Sequence, residues 1–173
     1  MKTTKHIWTI GHSTRTLEEF LNLLEADAIE HLIDVRRFPG SRKFPQYNLE
    51  NLERSILEQG MLYTHLELLG GRRKASQDSK NTVWNHPSFR GYADYMETDD
   101  FQQAYNTLET FALQQRCAIM CSEAVWWRCH RSMIADLLKS KGWEVLHILG
   151  AEQHQEHPYT KPAKITKGQL SYH

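Results

Sequence analysis

Cys117-Ala118-Ile119-Met120-Cys121 is a short apolar run, and Met133-Ile134-Ala135-Asp136-Leu137-Leu138 places apolar residues at helical spacing. Between them lies Ser122-Glu123-Ala124-Val125-Trp126-Trp127-Arg128-Cys129-His130-Arg131. This predicts a strand over 117–121, a junction crowded with thiols, a carboxylate, an imidazole and guanidiniums, and a helix from Arg128 to Lys141 stopped by Gly142. Trp143 to Leu149 then reads as another strand. In an open parallel sheet, ligands bind in the crevice outside the carboxyl ends of the strands, so the junction is a candidate site.

The same alternation runs upstream. His6-Ile-Trp-Thr-Ile-Gly11 is apolar and partly β-branched, and Thr16-Leu-Glu-Glu19 matches a capping box opening an amphipathic run. His31 to Arg36 reads as a second strand, Pro39-Gly40 as a turn, Leu49 to Gln59 as a helix closed by Gly60, and Met61 to Leu66 as a third strand. Phe89 to Met96 suits a short helix, and Thr98-Asp99-Asp100 caps a longer one reaching about Gln115. Strands alternating with helices predict a single three-layer α/β domain over residues 1–150, with a mostly parallel sheet of about five strands. Leu69 to Trp84 is polar and aperiodic, a long mobile loop with the features of a lid. Residues 151–173 are polar, carry Pro158 and Pro162, and are expected to form an irregular tail.

The 173 residues suit one domain with a proper core. Twenty-one basic residues balance twenty-one acidic ones, which excludes a global field drawing the protein to nucleic acid or an anionic membrane. Three cysteines without need of disulfide staples point to a reducing compartment, with the cytoplasm fitting best. The chain starts without the apolar run of a signal peptide, and none of its apolar runs approaches the roughly 18 residues of a transmembrane helix. A soluble intracellular protein with no membrane partner is expected.

Arginine is distributed unlike lysine. Arg15, Arg36, Arg37, Arg42, Arg72, Arg73, Arg90, Arg128 and Arg131 lie in or near loops that follow predicted strands, and such loops share one edge of a parallel sheet. Guanidinium forks there would bind phosphate or carboxylate. The alternative is structural pairing with Asp34, Glu67, Asp94 and Glu123.

Each motif admits a chemical reading. Gly11-His12-Ser13 follows the first strand and precedes a helix, a place where backbone N–H groups can hold an anion. It lacks the further glycines of a dinucleotide fingerprint and the Gly-Lys-Ser/Thr of a P-loop, so no nicotinamide cofactor is expected. Asp34 and Arg36 form either an orienting pair or a loop-holding ion pair. Three readings compete for the junction. Cys121 is the candidate nucleophile in the first, but six residues separate it from Arg128 and nine from Arg131, which does not match the Cys-to-Arg spacing of cysteine phosphatases. The second has Cys121, Cys129 and His130 bind a metal, which neighbouring helical residues pointing about 100° apart would do poorly. In the third, Glu123 is the acid or base, His130 its partner or a substrate contact, and Arg128 and Arg131 stabilise substrate charge. Cys129 also reads as a small core residue in step with Met133 and Leu137.

Thr9-Ile-Gly-His-Ser13, Ile33-Asp-Val-Arg36 followed by Pro39 and Ser41, Leu69-Gly-Gly71, Tyr92-Ala-Asp-Tyr-Met96, and Cys121-Ser-Glu123 to Cys129-His-Arg131 occur in order. With these five motifs, spread over roughly Trp8 to Leu149, the sequence resembles the family called domain of unknown function 488. The resemblance implies a compact intracellular domain, mostly prokaryotic, and brings no agreed reaction with it.

The expected function is an enzyme acting by hydrolysis or group transfer on a phosphate-bearing small molecule, nucleotide or nucleic-acid end. Cys121, Glu123 and His130 are the expected catalytic residues; Gly11, His12, Ser13, Asp34, Arg36, Arg72, Arg73, Arg128 and Arg131 would hold the substrate, with neither metal nor cofactor. The alternatives are a non-catalytic nucleic-acid or nucleotide-binding module and a thiol or metal sensor.

Overall fold

The computed structural model describes residues 3–173. Its strands and helices follow the alternation read from the sequence: β1 (Lys5–Gly11), α1 (Leu17–Ala26), β2 (His31–Asp34), α2 (Leu49–Glu58), β3 (Leu62–His65), α3 (Pro87–Tyr95), α4 (Asp99–Gln114), β4 (Cys117–Cys121), α5 (Arg131–Ser140) and β5 (Trp143–Gly150). The capping box at Thr16 is formed. Its hydroxyl accepts the Glu19 N–H at 3.1 Å and donates to the Glu19 carboxylate at 3.1 Å, satisfying donors that a helix start leaves free.

The sheet runs β3-β2-β4-β1-β5-β6, where β6 is Gln153–Glu156, and its first five members are parallel. Period-two alternation divides its side chains between two cores. On β4, Cys117, Ile119 and Cys121 face the core under α3, α4 and α5, whereas Ala118 and Met120 face the core under α1 and α2. The molecule is therefore a single α/β domain of three layers. Among the described residues no helix is long and apolar enough to cross a membrane.

Residues 151–173 differ from the expected irregular tail. β6 (Gln153–Glu156) pairs antiparallel with β5, and β7 (Lys164–Thr166) and β8 (Gln169–Ser171) make a hairpin. These strands are short and mostly exposed, so they show no hydrophobic alternation to read. Polar bonds to a buried carboxylate, together with the burial of Tyr172, fasten them to the domain. The long loop is likewise anchored by polar groups: Ser76 N–H, Ser79 Oγ and Asn81 Nδ2 all donate to Asp94 on α3. Burial works against the Asp94 charge, but these bonds outweigh it and hold the carboxyl below its usual value.

α5 begins at Arg131, later than the expected Arg128. A 3-10 turn, Trp126–Arg128, precedes it, and Cys129 is extended, with φ −137° and ψ 153°. This late start determines what the junction can do.

Candidate functional site

β1 and β4 are neighbours, yet β1 leads into α1 on one face of the sheet and β4 leads into α5 on the other. Such a reversal opens a crevice at the carboxyl ends of the two strands. A cavity of about 870 Å³ lies there, walled by His12, Ser13, Arg36, Arg37, Arg72, Cys121, Glu123, Arg128, Cys129 and His130, with aromatic rings at its sides. Four of its lining residues are arginines, and Glu123 is its one carboxylate.

The first wall is the turn after β1. Gly11 presses against the junction so closely that a Cβ would lie 1.6 Å from the Glu123 carbonyl oxygen. His12 and Ser13 donate their backbone N–H groups to the carbonyls of Cys121 and Ser122, both at 3.0 Å. Those amides are thus spent on extending the sheet, and the side chains are what this turn offers a ligand. The His12 ring stacks on Tyr47 at 4.2 Å and donates Nδ1–H to the Ser13 carbonyl at 2.9 Å, so Nε2 carries the lone pair. Burial, with Arg36 adding to it, lowers the His12 pKa.

Asp34 stands beneath the cavity. It takes Arg36 in a two-pronged bond at 2.9 and 2.7 Å, and accepts the Tyr63 hydroxyl at 2.5 Å. Burial alone would lower the Arg36 pKa, but the bonds and charge of Asp34 raise it. Asp34 therefore orients a cation at the cavity wall. Arg37 donates to the Arg72 carbonyl at 2.8 Å, which ties the β2 turn to the Gly-Gly segment. Arg73 turns away: its guanidinium stacks on Tyr95 at 3.8 Å and lines a separate depression with Asp94.

The third wall is the junction. Cys121 is fully buried, its thiol donates to the Glu123 carbonyl at 3.7 Å, and burial, together with the neighbouring Cys129, pushes that thiol well above the ordinary value. Cys129 is the opposite case. Burial would raise it, but the Cys121 thiol, the charge of Arg131 and the Arg131 backbone N–H, 3.5 Å from Sγ, outweigh that and lower it. His130 donates Nε2–H to the Val35 carbonyl at 2.8 Å, leaving the Nδ1 lone pair 3.2 Å from the Cys129 sulfur. Burial keeps this imidazole below its usual pKa. Gly71 allows the arrangement, since a Cβ there would meet His130 Nδ1 at 2.9 Å. A thiol, a base and a group orienting the base form the constellation of an activated nucleophile.

Arg131 lies behind the cavity, 1% exposed. It donates to the Glu123 carbonyl at 3.1 Å and to Thr9 Oγ1 at 3.3 Å. Among the described residues no carboxylate forms an ion pair with it, and its Nε finds no partner. A buried cation needs a compensating anion, and the neighbouring Cys129 thiolate can supply one. From Thr9 a buried chain continues: Thr9 Oγ1 to His147 Nδ1 at 2.5 Å, His147 Nε2 to His157 Nδ1 at 2.8 Å, and His157 Nε2 to Asp136 at 2.8 Å. Thr160 and Tyr172 complete the shell of Asp136. The C-terminal segment therefore supports the site from behind.

Of the residues expected at the site, His12, Ser13, Arg36, Arg72, Cys121, Glu123, Arg128 and His130 line one cavity. Gly11, Asp34 and Arg131 support it without lining it, and Arg73 lies elsewhere. Cys129 is a core residue in step with Met133 and Leu137, as its spacing predicts, and it also reaches the cavity wall, where Phe38 joins it; the sequence signal for that second place is the adjacency of Cys129 to His130. Among the described residues no three His, Cys, Asp or Glu side chains are grouped to hold a metal ion.

No curated protein and no solved structure matches the chain. A model of the family described as Domain of unknown function DUF488 matches residues 16–138, well over half of the chain, and the chain belongs to that family.

Proposed function

We propose that the protein is an intracellular enzyme that performs hydrolysis or group transfer on a phosphate-bearing substrate. One observation carries this reading: Cys129, a thiol held down beside the buried Arg131, stands in the wall of a cavity lined by four arginines and a single carboxylate. Cys129 replaces Cys121 as the nucleophile, because Cys121, though at the cavity wall, is the more buried of the two, has a raised pKa and donates its thiol to the Glu123 carbonyl. Its attack on phosphorus forms an S–P bond and expels the leaving oxygen, to which Glu123 delivers a proton. Glu123 then takes a proton from the water or acceptor hydroxyl that breaks the S–P bond. The arginines offset charge on the transferring group. The three cysteines are free thiols, which suits a reducing compartment such as the cytoplasm.

The test is a panel of phosphate esters, including mononucleotides, oligonucleotide ends and sugar phosphates, with phosphate release and mass change followed together. Turnover of one class, lost in Cys129→Ser and slowed roughly 10²–10⁴-fold in Glu123→Gln, is expected. No turnover of any ester, with no protection of Cys129 by phosphate, refutes the reading.

A further inference from the structure

Resting on the phosphate reading above, we propose that the substrate is single-stranded nucleic acid, with a base stacked against Phe38 or Trp127 and its backbone over Arg37, Arg72 and Arg128. The cavity holds about 870 Å³, a size that takes ligands far larger than a phosphate group. Two aromatic residues line it while largely exposed: Phe38 at 58% and Trp127 at 52%. Burying a ring is one of the larger gains open to a folding chain, so two rings left in water beside one cavity are available to a ligand.

These rings are held in place. Arg37 and Arg72 bring their guanidiniums to 5.1 and 5.7 Å from the centre of Phe38. Trp127 packs edge-on against the buried Trp126 at 5.5 Å. Planar rings interleaved with guanidiniums match a strand that alternates bases with phosphates. A duplex keeps its bases stacked inside, so only an unpaired strand can present one to Phe38 or Trp127. The zero net charge of the chain means that attraction must come from these few arginines, which suits a short segment.

A labelled oligothymidylate followed by fluorescence anisotropy tests this. It should bind more tightly than thymidine monophosphate, and three phosphate contacts give a slope of about −2 in log K against log salt. Phe38→Ala and Trp127→Ala, both at exposed positions, should each weaken the oligonucleotide by roughly 5–150-fold. Neither should alter the protection that inorganic phosphate gives Cys129 against iodoacetamide. An oligonucleotide that binds no better than the mononucleotide, or a duplex that competes equally, overturns the single-strand inference while phosphate protection keeps the site reading. Loss of phosphate protection as well as oligonucleotide binding overturns both.

Discussion

Acid should destabilise the protein through His147, a residue remote from the cavity. The ring is buried, stacked on Trp126 at 4.8 Å, and bonded to Thr9 and His157. Burial, the neighbouring His157 and the charge of Arg131 lower its pKa to about 2. An unfolded histidine titrates near 6.5, so between about pH 6.5 and 2 the unfolded chain binds a proton that the folded chain refuses. Stability therefore rises with pH across that window, is complete above it, and is lost as pH falls. Going from pH 7 to pH 5 should cost about 2 kcal/mol through His147 alone. Urea unfolding at the two pH values measures the total change, and His147→Asn should reduce that change by about 2 kcal/mol. An equal change in both proteins, or a folded-state NMR titration of His147 with a midpoint near 6, would refute the reasoning.

Asp34→Ala leaves Arg36 buried without its carboxylate and should cost roughly 3–5 kcal/mol by urea unfolding. Tyr172→Phe removes a hydroxyl that donates to the buried Asp136 carboxylate at 2.7 Å; a loss of about 1.5–3 kcal/mol is expected, and no loss would mean that the C-terminal segment does not brace the domain. Gly11→Ala forces a methyl group into the Glu123 carbonyl and should lower the melting temperature, with insensitivity to the change showing that the junction gives way freely. Iodoacetamide with peptide mapping should label Cys129 before Cys121 and Cys117 near neutral pH. Arg131→Met should slow that labelling by about tenfold for each pKa unit the thiol regains.

The frame of this fold was legible because its signals are local. Apolar runs such as Cys117 to Cys121, the capping box at Thr16 and the stop at Gly142 each act within a few residues, and the parallel sheet follows from their order. The features that are not legible in the sequence depend on partners distant along the chain. Asp136 reads as one polar residue in an apolar helix, and nothing nearby says that His157, Thr160 and Tyr172 surround it. Residues 151–173 read as irregular for that reason: their attachment is a set of polar bonds to one carboxylate, and hydrophobic periodicity cannot register it. Asp94 does the same for the long loop.

The cavity shows the same division. That arginines gather at one sheet edge follows from their placement after strands, but which of them face the crevice depends on how each loop folds back. Arg72 and Arg73 are adjacent, yet one lines the cavity and the other stacks on Tyr95. A positive φ of 59° at Arg72 turns the chain between them. The junction turns on a shift of similar size. With α5 starting at Arg128, Cys129 and His130 would diverge on a helical surface. The extended backbone at Cys129 and the start at Arg131 instead bring Sγ to His130 Nδ1 and to the first amide of the helix. A displacement of under one helical turn therefore keeps Cys129 packed in the core with Met133 and Leu137 while turning its sulfur toward His130 at the cavity wall. Cys121, more conspicuous at the end of its strand, donates its thiol proton to the Glu123 carbonyl at 3.7 Å.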